Sequence, residues 1–320
     1  MSYSHLNPSR LSAILLILFA LILVACGGDV VDRVEEKATP VPTTGEAQAG
    51  GGAARATPTI ILIRPTDTPP PPPPTPTPRP TDTPAPERVA TEGTLAVTDL
   101  MIEISAGPFT LGNDNSDPNE APAQQMDLPA FMIDAYEVTN ADYAAFVQST
   151  GYTTYREQQG SQQNWRWAYR EGKDNHPVAF VTFDDAQAFC QWAGKRLPNE
   201  FEWEKAARGP DGFLYPWGNE YSAGELNGKD SGLRQTTAVG SYPANRYGLY
   251  DVAGNIKEWV DSPYIAYPGS SYQDSHYSEG YRGIRGGGWF DEAKYVLATN
   301  RNGGDPAITA NDDIGFRCAK

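Results

Sequence analysis

Histidine is nearly missing from this chain, with three copies in 320 residues, and cysteine is equally rare. His5 precedes the N-terminal apolar run, so only His176 and His276 are left for a folded region, and neither has metal-ligand spacing. An iron centre built on a histidine cluster is therefore not expected. No nucleophile–histidine–carboxylate set can be assembled, and no glycine-rich loop joins a strand to a helix as phosphate binding would need. Positive charge is short as well: 25 Lys and Arg against 40 Asp and Glu leave a net charge of −15, with no basic block. Nucleic acid and anionic membrane surfaces are poor partners for such a chain, whereas a soluble outward-facing domain or a cation binder fits. There is no internal repeat.

Long apolar runs are limited to one. Leu11 to Ala25 is 15 residues long, too short to span a bilayer comfortably and of signal-peptide length. It ends in Leu23-Val24-Ala25-Cys26 followed by Gly27 and Gly28, which resembles a bacterial lipobox. That resemblance implies that Cys26 becomes the first mature residue and carries a diacylglycerol, placing the rest of the chain outside the cytoplasm as a lipoprotein of a bacterial cell membrane. An uncleaved anchor is the other reading, and it gives the same topology. Two cysteines then remain, Cys190 and Cys318, in an oxidising compartment where a pair is expected to be a disulfide. Closing a loop of that length contributes roughly 4–5 kcal/mol in the chain-entropy view.

What is abundant is proline, 28 in all, concentrated near the start. Residues 1–26 read as the signal, 27–56 as a flexible Gly/Ala/Thr linker, and 57–93 as a Pro/Thr-rich stalk. Proline at that density fixes φ and removes amide donors, favouring polyproline II with no core. Some thirty such residues would reach about 100 Å. Ile60-Ile61-Leu62-Ile63 is an oddity inside the stalk, suited to a groove on the domain or on a partner.

From residue 94 to 320 the pattern is that of one globular domain. Alternation over 95–112 predicts strands before a Gly-Pro turn. Thr139 caps a helix over 140–150 that Gly151 stops. Asp184 or Asp185 opens a second, stopped by Gly194. Asn199 with Glu202 forms a capping box for a third over 200–208, ended by Gly209-Pro210. Beyond it the chain is dense in Gly, Asn, Tyr and Trp, with short strands at most.

Residues 109–146, 176–209, 215–220, 248–260, 284–289 and 314–320 together carry a resemblance. In order and spacing they are similar to the formylglycine-generating enzyme (sulfatase-modifying factor) superfamily, along nearly all of 98–320. The resemblance implies an α+β, irregular C-type-lectin-like fold, and it matches Cys190 and Cys318 to a disulfide of secreted members. In members that oxidise a sulfatase cysteine, two cysteines bind copper(I), as soft thiolates suit. They follow a Gly-Gly-Ser-aromatic turn. Here Gly286, Gly287, Gly288 and Trp289 supply the turn, a pocket floor, while Asp291 and Val296 stand at the cysteine positions. Gly288 replaces the serine, and Lys257 stands where tryptophan is usual. No copper and no catalytic residue are expected. Asp291 and the adjacent Glu292 would face opposite sides of an extended segment, so they read as two solvated loop charges rather than an acid–base pair.

The resemblance also implies structural calcium on Asp251 and Glu258 side chains and Gly254 and Ile256 carbonyls, a donor set of the kind hard cations take. A second family calcium segment keeps Asn227 and offers Asp230 but is shortened. Trp165, Trp167 and the tyrosines of 264–283 either line a surface for peptide or sugar or pin loops to the core. The functional reading is a membrane-anchored module on a stalk that binds peptide, glycan or a partner protein in the family cleft. The alternatives are an enzyme of altered chemistry or the formylglycine oxidase itself.

Overall fold

The structure, a computed structural model, describes residues 100–320; the signal, Cys26, the linker, the stalk and residues 94–99 lie outside the described residues. Strands β1 (Met101–Ile104) and β4 (Phe131–Asp134) pair antiparallel, as do β2 (Gly107–Leu111) and β3 (Gln124–Leu128). Helices α1 (Asn140–Thr150), α2 (Tyr155–Gln158), α3 (Trp165–Ala168), α4 (Phe183–Trp192) and α5 (Glu200–Arg208) follow. A four-stranded sheet closes the chain, in the order β7 (Arg301–Gly304), β6 (Ser278–Arg285), β5 (Lys257–Tyr264), β8 (Ile314–Gly315). The β5–β8 pair is parallel and the others in this sheet are antiparallel. No helix among the described residues is long and apolar enough to cross a membrane.

Local sequence explains the helix ends. Thr139 accepts from the Asp142 amide while the Asp142 carboxylate returns to the cap, and Gly151 leaves α1 in the left-handed region at φ 71°. Asn199 and Glu202 do the same for α5, with Gly209 at its end. For α4 the expected opening at Asp184 or Asp185 is corrected. Thr182 is the cap, the helix begins at Phe183, and Asp185 is the box partner in its first turn. The expectation of short strands after α5 is corrected too, since β5 and β6 each run eight residues. Their glycines and polar residues hide the pattern because β5 is buried along most of its length and so lacks in–out alternation.

Cys190 and Cys318 form a disulfide with 5.7 Å between their Cα atoms. Both are fully buried in a core of Tyr143, Phe146, Trp165, Phe189, Trp259 and Phe316. A second core gathers on Trp203 between α5, β1, β4 and β5. Charged groups are buried beside it: Glu200 accepts from Arg301 at 2.7 Å, and Glu204 from Arg285 at 2.6 Å, all without access to water beyond a trace. Charged hydrogen bonds of this kind keep such ions from costing stability only when both partners are present.

Replacing Cys190 and Cys318 by serine is expected to lower the unfolding free energy of the domain by about 2–5 kcal/mol. Urea denaturation checks this, and an unchanged midpoint would contradict the assigned role.

Candidate functional site

The floor segment leaves β6 at Arg285. Gly287 sits at φ 71°, and a Cβ there would lie 2.6 Å from the Tyr295 carbonyl oxygen and 2.7 Å from a Val296 methyl, so only glycine passes. The floor and the acidic loop that runs from Asp251 to Glu258, two separate stretches of sequence, are joined backbone to backbone. Gly254 N–H donates to Gly286 O at 3.0 Å and Trp289 N–H to Asn255 O at 3.0 Å. The sequence-predicted pocket and the sequence-predicted cation loop are thus one structural unit.

At its centre stands Lys257, the first residue of β5. Its ammonium is 2.8 Å from Asp291 Oδ2, forms a shorter contact with Asp313 Oδ2, and lies 4.5 Å from the centre of the Phe290 ring. Asp291 Oδ2 also accepts from Gly288 N–H at 2.8 Å. The three charged side chains are 17%, 11% and 4% exposed for Lys257, Asp291 and Asp313. Burial pushes the Asp313 carboxyl up despite Lys257. Burial alone would lower the Lys257 ammonium, but Asp313 and Asp291 outweigh it and raise it.

The expectation of two solvated loop charges is therefore corrected for Asp291, which is an enclosed ion-pair partner. Glu292 is the exposed one, paired with Lys229. The two carboxylates do face different partners, and they form no acid–base pair. Val296, at the second position where the resemblance implies a cysteine, is fully buried in an aliphatic and aromatic cluster with Leu226, Ala253 and Leu297.

The acidic loop is buried. Asp251 accepts from Gly240 N–H at 2.6 Å, and burial raises its carboxyl to about 6. Glu258 lies in the same region, its oxygens accepting from Arg317 Nη2 at 2.7 Å, Arg317 Nε at 2.8 Å and Trp203 Nε1 at 2.8 Å. Glu137, which sequence reading did not single out, accepts from Asn255 Nδ2 at 2.6 Å and from Ile256 N–H at 3.3 Å. Burial raises its carboxyl well above the ordinary range, and Asp251 and Glu258 add to that. Three buried carboxyl groups thus face one guanidinium, and burial draws Glu137 and Asp251 toward their neutral forms there. The calcium donors that the resemblance implies, Asp251, Glu258 and the Gly254 and Ile256 carbonyls, all belong to this loop, and both Glu258 oxygens are engaged by Arg317 and Trp203. Among the described residues no group of three or more His, Cys, Asp and Glu is placed to hold a metal by itself.

Other predicted positions are engaged with the protein. Asn227 donates to Gln235 O at 2.9 Å and accepts from Ser231, while Asp230 accepts from Tyr221. His176 faces Thr236 Oγ1 at 3.0 Å, and burial followed by Lys173 brings its imidazole down to about 4, as suits a packed neutral ring. His276 is exposed and pairs with Asp274. Of the aromatics, Trp165, Tyr264 and Tyr267 are core, while Trp167 and Tyr272 are exposed. Phe290 and Tyr295, on the floor segment, are exposed as well. The partnership of Lys257 with Asp313 was missed because 56 positions separate them and Asp313 sits in no recognisable motif.

Residues 87–320 match the sulfatase-modifying factor enzyme 1-like domain family. The formylglycine-generating enzyme of Mus musculus is 34% identical over 295 residues, covering 73% of this chain and 78% of its own. The inactive C-alpha-formylglycine-generating enzyme 2 of Bos taurus is 33% identical over 273 residues, covering 68% of this chain and 87% of its own. Among solved structures, PvdO from Pseudomonas aeruginosa superposes with a TM-score of 0.56 at 27% identity, covering 68% of this chain and 93% of its own.

Lys257→Met is expected to destabilise the domain by about 3 kcal/mol, because two enclosed carboxylates lose their cation. The variant that also carries Asp291→Asn and Asp313→Asn should regain most of that loss. Chemical denaturation of the three proteins checks both statements, and an unaffected single variant would show that Lys257 is not their counter-charge.

Proposed function

The chain belongs to the sulfatase-modifying factor enzyme 1-like family, and from that premise we propose that it is a recognition module rather than a copper-dependent oxidase. The observation that carries the reading is the content of the two positions where copper(I) thiolates are expected. Asp291 is a hard carboxylate already held by Lys257 and the Gly288 amide, and Val296 offers no donor atom. Neither is a ligand for a soft ion. The remaining two cysteines of the domain are joined to each other. Both an active enzyme and a protein called inactive stand among the relatives, so the family by itself is compatible with either condition.

The same reading makes Cys26 a lipid attachment point and the Pro/Thr-rich segment a stalk, so that the domain is displayed outside the cytoplasm on a bacterial cell membrane. Its ligand would be a peptide, glycan or protein meeting the cleft, where the exposed Phe290 and Tyr295 flank the floor. An enzyme of altered chemistry is the second reading. It is favoured by one feature, the enclosed Lys257 with carboxylates on two sides. Calcium, on this reading, is a structural ion held by Asp251, Gly254, Ile256 and Glu258, drawing loop 251–258 against the floor.

The protein supplied with copper(I), O2 and a Cys-x-Pro-x-Arg peptide is expected to give no aldehyde product by mass spectrometry. Turnover under these conditions would overturn the reading. Millimolar calcium is expected to raise the melting temperature and a chelator to reverse the rise, with Asp251→Asn abolishing the response. A calcium-independent melt of the parent protein would remove the ion from the proposal.

A further inference from the structure

Lys257 and Asp313 are neighbours twice over. Their backbones touch, the Lys257 N–H donating to Asp313 O at 2.6 Å, where β5 meets β8 in parallel register. Their side chains then meet again on one side of that pair, ammonium to carboxylate. The contact is enclosed by the Phe290 ring and by the Gly288 backbone. At Gly288 a Cβ would come within 3.1 Å of Asp313, so a larger residue there would press on the carboxyl group. A third group, Asp291, reaches the same nitrogen and is itself oriented by the Gly288 amide. An amine, a carboxyl group held against it and a second carboxyl positioned to move protons are the components of an amide-forming reaction.

We propose that Lys257 and Asp313 condense spontaneously into an intramolecular isopeptide bond, with Asp291 as the proton-transfer group. The bond joins β5 to the segment that opens β8. This inference concerns the chain's own maturation and does not rest on whether the cleft binds a ligand. The ion pair described above is its starting state, and against a parent carrying the bond the triple variant does not regain the lost stability.

The atoms balance without a co-reactant. A proton passes from the Lys257 ammonium to the Asp313 carboxylate along their hydrogen bond, leaving a neutral amine and a neutral acid. The amine lone pair adds to Asp313 Cγ and forms the C–N bond. Asp291 takes a proton from the nitrogen and delivers it to a hydroxyl on Cγ. The C–O bond breaks, one water leaves, and Asp291 returns to its starting form. No electrons are gained or lost overall. Two features oppose the usual sluggishness of amine and acid in water. The reactants are fixed against each other, and intramolecular reactions of well-oriented partners reach effective molarities on the order of 10⁵ M and above. Solvent is also largely displaced from all three groups, so no bulk water competes for the reacting atoms once the proton has moved. A proton-transfer group held at the reacting nitrogen contributes roughly a hundredfold or more.

The test is peptide mapping of the full-length chain after reduction, denaturation and trypsin digestion. With the bond present, trypsin cannot cut after Lys257. The peptide 247–282 then appears uncut and attached to 302–317, lighter by one water than the sum of the two. Fragmentation should place the link on Lys257 and Asp313. Asp313→Ala is expected to restore cleavage after Lys257, and Asp291→Ala to reduce the linked species about a hundredfold at equal incubation time. Recovery of free 247–257, 258–282 and 302–317 from the parent protein would overturn the proposal, and so would a link on Asp291 in place of Asp313. The parent measurement decides by itself even if a variant fails to fold.

Discussion

The guanidinium of Arg317, with no exposure to water, is the point through which the rest of the domain is tied. It donates to both oxygens of Glu258 on β5, to the carbonyls of Asp134 and Ala135 at the end of β4, and to the carbonyl of Tyr250. Three remote stretches of chain therefore converge on one rigid planar cation, which the fixed fork of arginine donors permits and a lysine would not. Cys318, the next residue, carries the disulfide into the aromatic core. Glu258, two residues from Ile256, fixes the end of the acidic loop and the start of β5, and thereby the position of Lys257. The floor glycines are then held by hydrogen bonds to that same loop. The candidate site is an outcome of this arrangement rather than a patch added to it.

Charge, more than regular secondary structure, supplies the specificity of this fold. Glu200, Glu204, Arg285 and Arg301 are enclosed between α5 and the sheet in matched pairs. Lys257, Asp291 and Asp313 repeat the device at the floor. The acidic loop departs from it, since Glu137, Asp251 and Glu258 share a single arginine. The floor pairs its charges one against another, whereas the loop leaves its carboxyl groups to burial and a single guanidinium.

The parts of this architecture that could be read from sequence were those with local causes. Thr139, Asn199, Gly151 and Gly209 announce helix ends within a few residues of themselves, and the structure follows them. At α4 two aspartates compete as caps, and the one three positions after Thr182 turns out to be the box partner. The sheet was less legible. β5 is buried along most of its length, so no alternation marks it, and its partners lie between 14 residues away (Tyr264 with Ser278) and 57 (Lys257 with Ile314). The site was half legible. Asp291 and Lys257 stood out as departures from a family pattern, but nothing in the sequence said that each is the other's counter-ion, or that Asp313 completes the set. Such partnerships arise from topology, and the parallel β5–β8 pairing that creates this one is two residues long.

The Cys190–Cys318 bond closes a circuit of 128 positions that contains α5, the whole of the large sheet and the floor. A domain displayed outside the cytoplasm, as proposed above, meets proteases, and its long loops are their natural targets. A single cut anywhere between these cysteines severs the backbone without releasing a fragment, because the two ends of the circuit stay covalently attached. The clipped molecule would keep its mass on a non-reducing gel and separate into pieces only when reduced. Damage at the outer loops is thereby confined to the loop that suffers it.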